Sequence, residues 1–223
     1  MSLTTAKNYL LVTERIGKKP MLRTRFTTQA YLVLATLMDL RDQGVLTVTA
    51  GEMKLADQAQ LTTLPQYLDE LKIRLQNDLQ QDARLKSVLK LVTSWNIVNE
   101  IYDGIGEELE RDGLVKKVIF QNNLKPHTIY APTASSRVRV IDDLSKNIDG
   151  HKLTATDVNL WLLLRQQKAL PYLFSDDVRL AKLTAEFNRQ TATDEGAATT
   201  QILTATAGEI IQMKKFEMDG WLS

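Results

Sequence analysis

The stretch from residue 95 to residue 132 constrains the fold more than any other part of the sequence. Four apolar residues recur there at intervals of four: Ile97, Ile101, Ile105 and Leu109. This spacing predicts a helix with one apolar face buried in the protein. Gly113 follows at the position where a left-handed residue ends many helices. Residues 114–120 then read Leu-Val-Lys-Lys-Val-Ile-Phe, which has the composition of a β-strand.

A β-hairpin is predicted to follow this helix directly. Gln121, Asn122 and Asn123 have turn chemistry, and residues 128–130 form a short return strand that Pro132 closes. The same order of helix, glycine and two short strands occurs earlier, with Gly44 between a helix and strands at 45–48 and 53–55. Gly104 and Gly106 each cost about 1 kcal/mol inside a helix, and the close approach of a neighbouring element would explain them.

The rest of the chain predicts a mainly helical domain. Apolar periodicity indicates helices near residues 9–16, 28–41 and 61–95, and again after the hairpin. Ser135 or Ser136 is predicted to cap a helix that buries Val138, Ile141, Leu144 and Ile148. The most apolar helix covers residues 158–170, with Thr154 or Thr156 predicted to start it, and ends at Pro171. Another helix runs from Asp176 to about residue 189. Residues 191–200 are small and polar and predict a loop before a last helix at 202–218.

We therefore expect a single mainly α globular domain with a projecting β-hairpin and a second short hairpin. Residues 1–190 form the helical domain, and residues 191–223 contribute a polar loop and a C-terminal helix packed on it. The 223-residue chain has no cysteine, which excludes disulfides and thiolate metal sites and favours a reducing compartment. Neither a signal peptide nor an 18-residue apolar run is visible, so we expect cytoplasmic residence, with docking on the inner face of a membrane.

Residue types typical of catalysis are scarce. His127 and His151 stand beside turn residues, and no serine or carboxylate has a diagnostic spacing from either. The acids at 107, 108 and 110 match the solvated face of a helix better than a metal site. We therefore expect no enzyme activity, no catalytic residues, no metal and no cofactor.

Three binding roles fit a helix that leads into a hairpin. A winged-helix DNA-binding protein is the least favoured, because the exposed side of the predicted helix is acidic and the net charge is only +1. A peripheral membrane protein is favoured by the basic cluster Lys18, Lys19, Arg23 and Arg25 around Met21 and Leu22. Self-association is the third role, since an apolar hairpin edge needs a cover. Its predicted residues are Leu114, Val118, Phe120, Ile129 and Tyr130.

The order of these parts resembles the Golgi phosphoprotein 3 family from about residue 9 to residue 186. The resemblance is carried by five segments: Tyr9-Leu10-Leu11-Val12, residues 40–46, the helix and hairpin from residue 105, Arg137-Val138-Arg139-Val140-Ile141, and residues 160–174 with Ala169-Leu170-Pro171. It implies a mostly helical domain with a projecting hairpin, binding of phosphatidylinositol 4-phosphate, oligomerisation through the hairpin and a membrane-protein client.

The family's lipid pocket is not reproduced in this sequence. The loop that carries a tryptophan in the family has Arg23, Thr24 and Arg25 as its counterparts here, and the arginine that opens the next helix falls near Val33. The two arginines of the helix before the hairpin fall near Asn99 and Tyr102. The predicted lipid-binding residues are therefore Lys18, Lys19, Arg23, Arg25, Asn99 and Tyr102.

The leading expectation is a non-enzymatic adaptor that binds anionic phospholipid with a phosphatidylinositol 4-phosphate-like headgroup and forms a homo-oligomer through its hairpin. The alternative is a soluble helical protein-interaction scaffold without lipid binding. Nucleic acid is not expected as a partner.

Overall fold

The computed structural model describes residues 3–14, 22–120 and 126–220 of the chain. Its helices and strands, in chain order, are α1 (Thr4–Thr13), α2 (Leu22–Asp42), β1 (Leu46–Thr49), β2 (Glu52–Leu55), α3 (Gln58–Leu61), α4 (Asp69–Gln81), α5 (Leu85–Val88), α6 (Trp95–Arg111), β3 (Val115–Phe120), β4 (His127–Pro132), α7 (Ala134–Asp149), α8 (Ala155–Gln166), α9 (Leu170–Leu173), α10 (Asp177–Thr191) and α11 (Glu195–Gly220). Short 3-10 turns at Gln66–Leu68 and Leu89–Thr93 precede α4 and α6. The mainly α single domain with two short hairpins is confirmed.

Both predicted hairpins are present as separate antiparallel pairs, β1 with β2 and β3 with β4. The first turns through Ala50 and Gly51, which both have positive φ angles of 52° and 80°. The second begins after α6, where Gly113 has φ 70°, the left-handed conformation predicted for it. Its register pairs Val118 with Ile129 and Ile119 with Thr128.

The core is one cluster shared by nearly all helices, and α2, α6 and α8 run through it. Helix α6 buries the predicted isoleucine face completely, and α8 is buried almost all round, with Trp161 stacked on Phe187 at 5.3 Å between ring centroids. Thr154 caps α8 as predicted and forms a capping box with Asp157. Helix α11 packs against α2 and α8 and so belongs to the same core.

The two glycines within α6 lie where neighbouring aromatic rings approach its backbone. A Cβ built on Gly104 would stand 2.1 Å from Cγ of Tyr67, and one on Gly106 would stand 2.2 Å from Cδ2 of Tyr130. The prediction of a close neighbour at each glycine is therefore confirmed. Because Tyr130 belongs to β4, Gly106 is also the position that lets the second hairpin lie directly on α6.

Helix α1 is capped at both ends by side chains from distant parts of the chain. Its N-cap residue, Leu3, has no side-chain acceptor to offer. Instead, the Asp39 carboxylate of α2 accepts the N–H groups of Thr5 at 3.0 Å and Ala6 at 2.9 Å. At the other end, the Arg137 guanidinium of α7 donates to the carbonyls of Leu11 and Glu14. These contacts fix where the chain leaves α1 towards the basic segment.

The segment 191–200 was predicted as a loop, and this prediction is wrong. Helix α10 continues to Thr191, and α11 already begins at Glu195. Asp194 starts the new helix because its side chain accepts the Ala197 N–H at 2.9 Å. The small residues that suggested a loop instead let the first turns of α11 pack closely, and Ala197 and Thr200 are buried.

The buried face and the start of α7 also differ from the prediction. Val138 is 54% exposed, and Val140 takes its place in the core. The N-cap is Thr133 rather than Ser135 or Ser136. The Ser136 hydroxyl donates to the Leu114 carbonyl at 2.7 Å, which holds this side of α7 against the base of the hairpin and turns Val138 outward.

Helix α8 ends earlier than predicted. It stops at Gln166 because Lys168 adopts a left-handed φ of 57°. Pro171 then lies in the first turn of the short α9 and does not end α8.

Candidate functional site

Tyr102 is the centre of the face that holds the described side chains of the predicted lipid-binding set. Its ring is buried on α6, and its hydroxyl donates to Oε2 of Glu14 at 3.0 Å. The same hydroxyl accepts the backbone N–H of Tyr130 at 3.2 Å, and the two tyrosine rings meet edge to face at 5.3 Å. Tyr102 therefore joins the end of α1 to α6 and β4, and its hydroxyl serves the fold.

Arg25, also predicted to bind lipid, lies on the same centre. Its guanidinium stands 5.3 Å from the centroid of the Tyr102 ring, a cation–π contact. Nη2 donates to the Thr128 carbonyl of β4 at 2.9 Å. The side chain is only partly buried, so it ties the start of α2 to the hairpin while one side still faces solvent.

The second hairpin runs back along α6 towards the beginning of that helix. Tyr130 lies over Gly106, and Thr128, two residues nearer the turn, is held by Arg25 on Tyr102. The end of the hairpin nearest its turn therefore points towards the first turns of α6. Arg25 and Tyr102 of the predicted lipid-binding set therefore contact the hairpin that carries the predicted self-association residues.

Two side chains in the first turns of α6 are open to solvent beside this face. Asn99 is exposed, as a lipid contact requires. Trp95 is 42% exposed and packs against the buried Phe26, with ring centroids 4.9 Å apart. Trp95 is not among the predicted lipid-binding residues. Its position in the sequence indicated this exposure, because Trp95 lies in the first turn, four residues before Asn99, and therefore on the same side of the helix.

Charges on the described part of this face largely cancel. Lys117 forms an ion pair with Glu107 at 3.5 Å and also lies 5.7 Å from the centroid of the Tyr130 ring. Lys116 is exposed and has no ion pair among the described residues. Burial raises the pKa of Asp103, with Arg25 opposing the shift. Burial and the nearby Glu14 charge raise the pKa of Tyr102, so this phenol stays neutral.

Part of the predicted basic cluster lies outside the described residues. Lys18 and Lys19 belong to the segment 15–21, which the structure does not describe, and Arg23 lies in α2 with its side chain not described. The chain leaves the described part after Glu14 and re-enters it at Leu22. Glu14 and Arg25 both contact Tyr102. The described residues on either side of this segment therefore contact the same side chain.

The hairpin residues predicted for self-association separate into two groups. Ile129 and Tyr130 are at most 1% exposed, so their side chains belong to the protein's own interior and cannot form the predicted exposed edge. The reason is that β4 lies on α6, with the Tyr130 ring in the space left by Gly106. Leu114 and Val118 are partly buried, and the Phe120 side chain is outside the description.

Ile119 is the large apolar side chain that the hairpin presents to solvent, with 75% of its surface exposed. Ile119 is not among the predicted self-association residues. Alternation along the strand does not predict its exposure, because the register places Ile119 opposite Thr128 and so on the same face of the hairpin as the buried Tyr130.

The structure adds two findings about general classes of site. Among the described residues, no group of three His, Asp or Glu side chains is arranged to hold a metal ion. None of the helices between residues 3 and 220, as far as they are described, is long and apolar enough to span a membrane.

Comparison with known proteins does not assign a family. The chain matches no known protein-family model, and no curated protein matches it. The resemblance to the Golgi phosphoprotein 3 family therefore stays a prediction that rests on the residue patterns given above.

Proposed function

We propose that this protein is a non-enzymatic adaptor that docks reversibly on anionic membrane surfaces and self-associates through its second hairpin. The docking surface is the face around Tyr102, with Ile119 and Trp95 as its apolar contacts. The observation that carries the proposal is the 75% exposure of Ile119 on β3, the strand that also carries the exposed lysines Lys116 and Lys117. An exposed apolar side chain beside lysines suits the boundary between lipid headgroups and acyl chains.

The basic segment supplies the charge that this surface needs. The described basic side chains near Tyr102 are engaged within the protein, since Arg25 bonds to Thr128 and Lys117 pairs with Glu107. Lys18 and Lys19 belong to a segment whose two flanks contact Tyr102. Each basic residue near an anionic surface contributes about 1 kcal/mol, which suits reversible docking and no permanent anchor.

Vesicle flotation tests this proposal with a charge reversal that spares the packed residues. The chain is floated with phosphatidylcholine vesicles, with and without phosphatidylinositol 4-phosphate or cardiolipin, at low and high salt. We expect flotation only with the anionic lipids, and we expect it to weaken with salt. Lys18→Glu with Lys19→Glu should weaken binding about thirtyfold, corresponding to at least about 2 kcal/mol for two contacts. Arg25 is left unchanged because it holds the hairpin.

A matched control reverses the same charge elsewhere. Lys90→Glu with Lys152→Glu changes two exposed lysines that have no ion pair among the described residues. This variant should float like the unaltered protein. If neither anionic lipid carries the protein at low salt, the proposal fails. Equal weakening by both double variants would show adsorption by net charge alone and would remove the assigned face.

A further inference from the structure

Strand β1 is an edge strand with one side of its backbone unpaired. Its two-residue turn makes Thr49–Glu52 and Thr47–Lys54 the hydrogen-bonded pairs of the hairpin, because such pairs alternate along an antiparallel ladder. The N–H and C=O groups of Leu46 and Val48 therefore point away from β2. On the outer side of β2, the Met53 N–H donates to the Ala83 carbonyl at 2.9 Å. The described residues provide no such partner for Leu46 or Val48.

A cavity of about 480 Å³ lies along this unpaired edge. All four residues of β1 line it, although alternate side chains of a strand point to opposite faces. The strand therefore turns its edge, with the unpaired backbone groups, towards the cavity. Leu153 and Val158 form an apolar part of the opposite wall, next to the starts of α8 and α11. This volume lies within the range of small-ligand sites, about 300–1,000 Å³.

A buried polar network holds one wall of the cavity in place. Nη1 of Arg41 donates to the Thr200 hydroxyl at 2.8 Å, and Nη2 donates to Oδ1 of Asn159 at 3.1 Å. Nδ2 of Asn159 donates to Asp42 at 2.6 Å. Asn159 and Thr200 are fully buried. The network joins the end of α2 to α8 and α11 and so stabilises this wall of the cavity.

The cavity carries excess negative charge. Three carboxylates line it, those of Asp42, Asp194 and Glu195, against the single guanidinium of Arg41. Asp42 is already paired with Arg41, and one oxygen of Asp194 caps α11. The carboxylate of Glu195 has no ion pair or hydrogen bond with the described residues. It is therefore free to meet a positive charge entering along the strand.

We propose that the edge of β1 docks an extended segment of a partner protein that carries basic side chains. The segment adds a strand next to β1 and exchanges backbone hydrogen bonds with Val48, which is partly exposed, whereas Leu46 is buried. Its apolar side chains rest against Leu153 and Val158, and a lysine or arginine meets Glu195. Backbone pairing supplies affinity in such strand addition, and the side chains on either face supply specificity. This site is separate from the face proposed for membrane docking.

The probe is the peptide acetyl-Gly-Val-Lys-Val-Lys-Gly-amide, followed by amide chemical shifts of the full chain. We expect saturable shifts at Leu46, Val48 and Gly196. Two peptide controls separate the contributions: one has glutamates in place of the lysines, and the other has N-methylated valines that cannot donate to β1. Both should bind at least about tenfold more weakly, corresponding to about 1.4 kcal/mol.

Two variants test the protein side. Val48→Pro removes one outward N–H and spares the β1–β2 ladder, since proline is tolerated on edge strands where no ladder bond is needed. Glu195→Lys reverses the free charge and should weaken binding about tenfold. Its control is Asp177→Lys, which also replaces an acidic side chain in the first turn of a helix with lysine. Asp177 is exposed and begins α10, whereas the cavity residues Asp194 and Glu195 follow the end of that helix. The control should bind like the unaltered chain.

Each remaining outcome overturns the proposal. Equal binding of the N-methylated peptide would exclude strand pairing. Saturation of the same resonances by N-acetyl-lysine-methylamide with equal affinity would make this a site for small cations. Equal weakening by Glu195→Lys and Asp177→Lys would exclude the cavity as the source of charge recognition. Absence of shifts at millimolar lysine peptide would exclude docking altogether.

Discussion

Asp39, which caps α1 from the distant helix α2, leads to a prediction about how stability depends on pH. The direction of this dependence shows whether burial or hydrogen bonding has the larger effect on the pKa of Asp39. Asp39 is 4% exposed and accepts two backbone N–H groups, from Thr5 and Ala6. Burial favours the neutral carboxyl, whereas the two hydrogen bonds favour the carboxylate. Burial is the larger effect and raises the pKa of Asp39 from 3.8 to about 6. The folded protein therefore holds this proton more tightly than the unfolded chain does.

This difference makes stability depend on pH in a defined direction. The contribution of Asp39 is fully present below the unfolded pKa of 3.8 and is lost as pH rises through about 6. A shift of about two pKa units corresponds to about 3 kcal/mol. About 2 kcal/mol of this falls between roughly pH 4.5 and 7.5, a range accessible to denaturant unfolding.

Asp39→Asn isolates this contribution because asparagine resembles the protonated acid and does not titrate. The free energy of unfolding of the unaltered protein minus that of Asp39→Asn should fall by about 2 kcal/mol from about pH 4.5 to 7.5. Other titrating groups cancel in this difference. Urea unfolding followed by circular dichroism measures it. If the difference rises with pH, the two hydrogen bonds outweigh burial and the reasoning is refuted.

Alanine substitutions separate the loss of the cap from titration. Asp39→Ala leaves two buried N–H groups without an acceptor and should cost about 2–4 kcal/mol. Asp176 makes the matching contacts to Val178 and Arg179 at the exposed start of α10. Asp176→Ala should cost only about 1 kcal/mol, because water reaches the freed groups.

Two further predictions concern the second hairpin. Gly106→Ala should destabilise the protein by about 1–2 kcal/mol in urea unfolding, because its Cβ would meet the Tyr130 ring. In a Tyr130→Ala background the same change should instead stabilise the protein by up to about 1 kcal/mol. If Gly106→Ala still destabilises the protein in that background, the Tyr130 ring is excluded as the cause. Ile119→Glu should lower the mass measured by light scattering to that of the monomer, while Val178→Glu, at a side chain that is 81% exposed on α10, should leave the mass of the oligomer unchanged. An unaltered mass for Ile119→Glu would remove the hairpin as the self-association surface.

Local patterns determined much of the architecture because they act over a few residues. The isoleucine spacing and Gly113 fixed a helix followed by a strand, and the structure has both in place. Thr154 starts α8 as predicted, since a cap needs only the next three residues. The crowding at Gly106 was also foreseeable, because glycine destabilises a helix interior unless close packing against a neighbour offsets the cost. The sequence could not identify Tyr130 as that neighbour.

Contacts between distant residues decided the candidate sites, and a one-dimensional pattern does not contain them. Tyr102 and Arg25 were predicted to face lipid, yet each holds the hairpin in place through contacts with Glu14, Tyr130 or Thr128. Ile119 reaches solvent and Val118 is partly buried, although Ile119 shares a face of the hairpin with the buried Tyr130.

The sequence by itself determined the apolar face of α6, the cap of α8 and the two hairpins, because hydrophobic period and turn chemistry are local. The tertiary structure alone decided that Asp39 caps α1 across 33 residues of sequence and that the edge of β1 borders a cavity shared with α8 and α11. The physical reason is that both depend on burial and on which backbone groups lack a partner. These properties exist only once distant elements have packed.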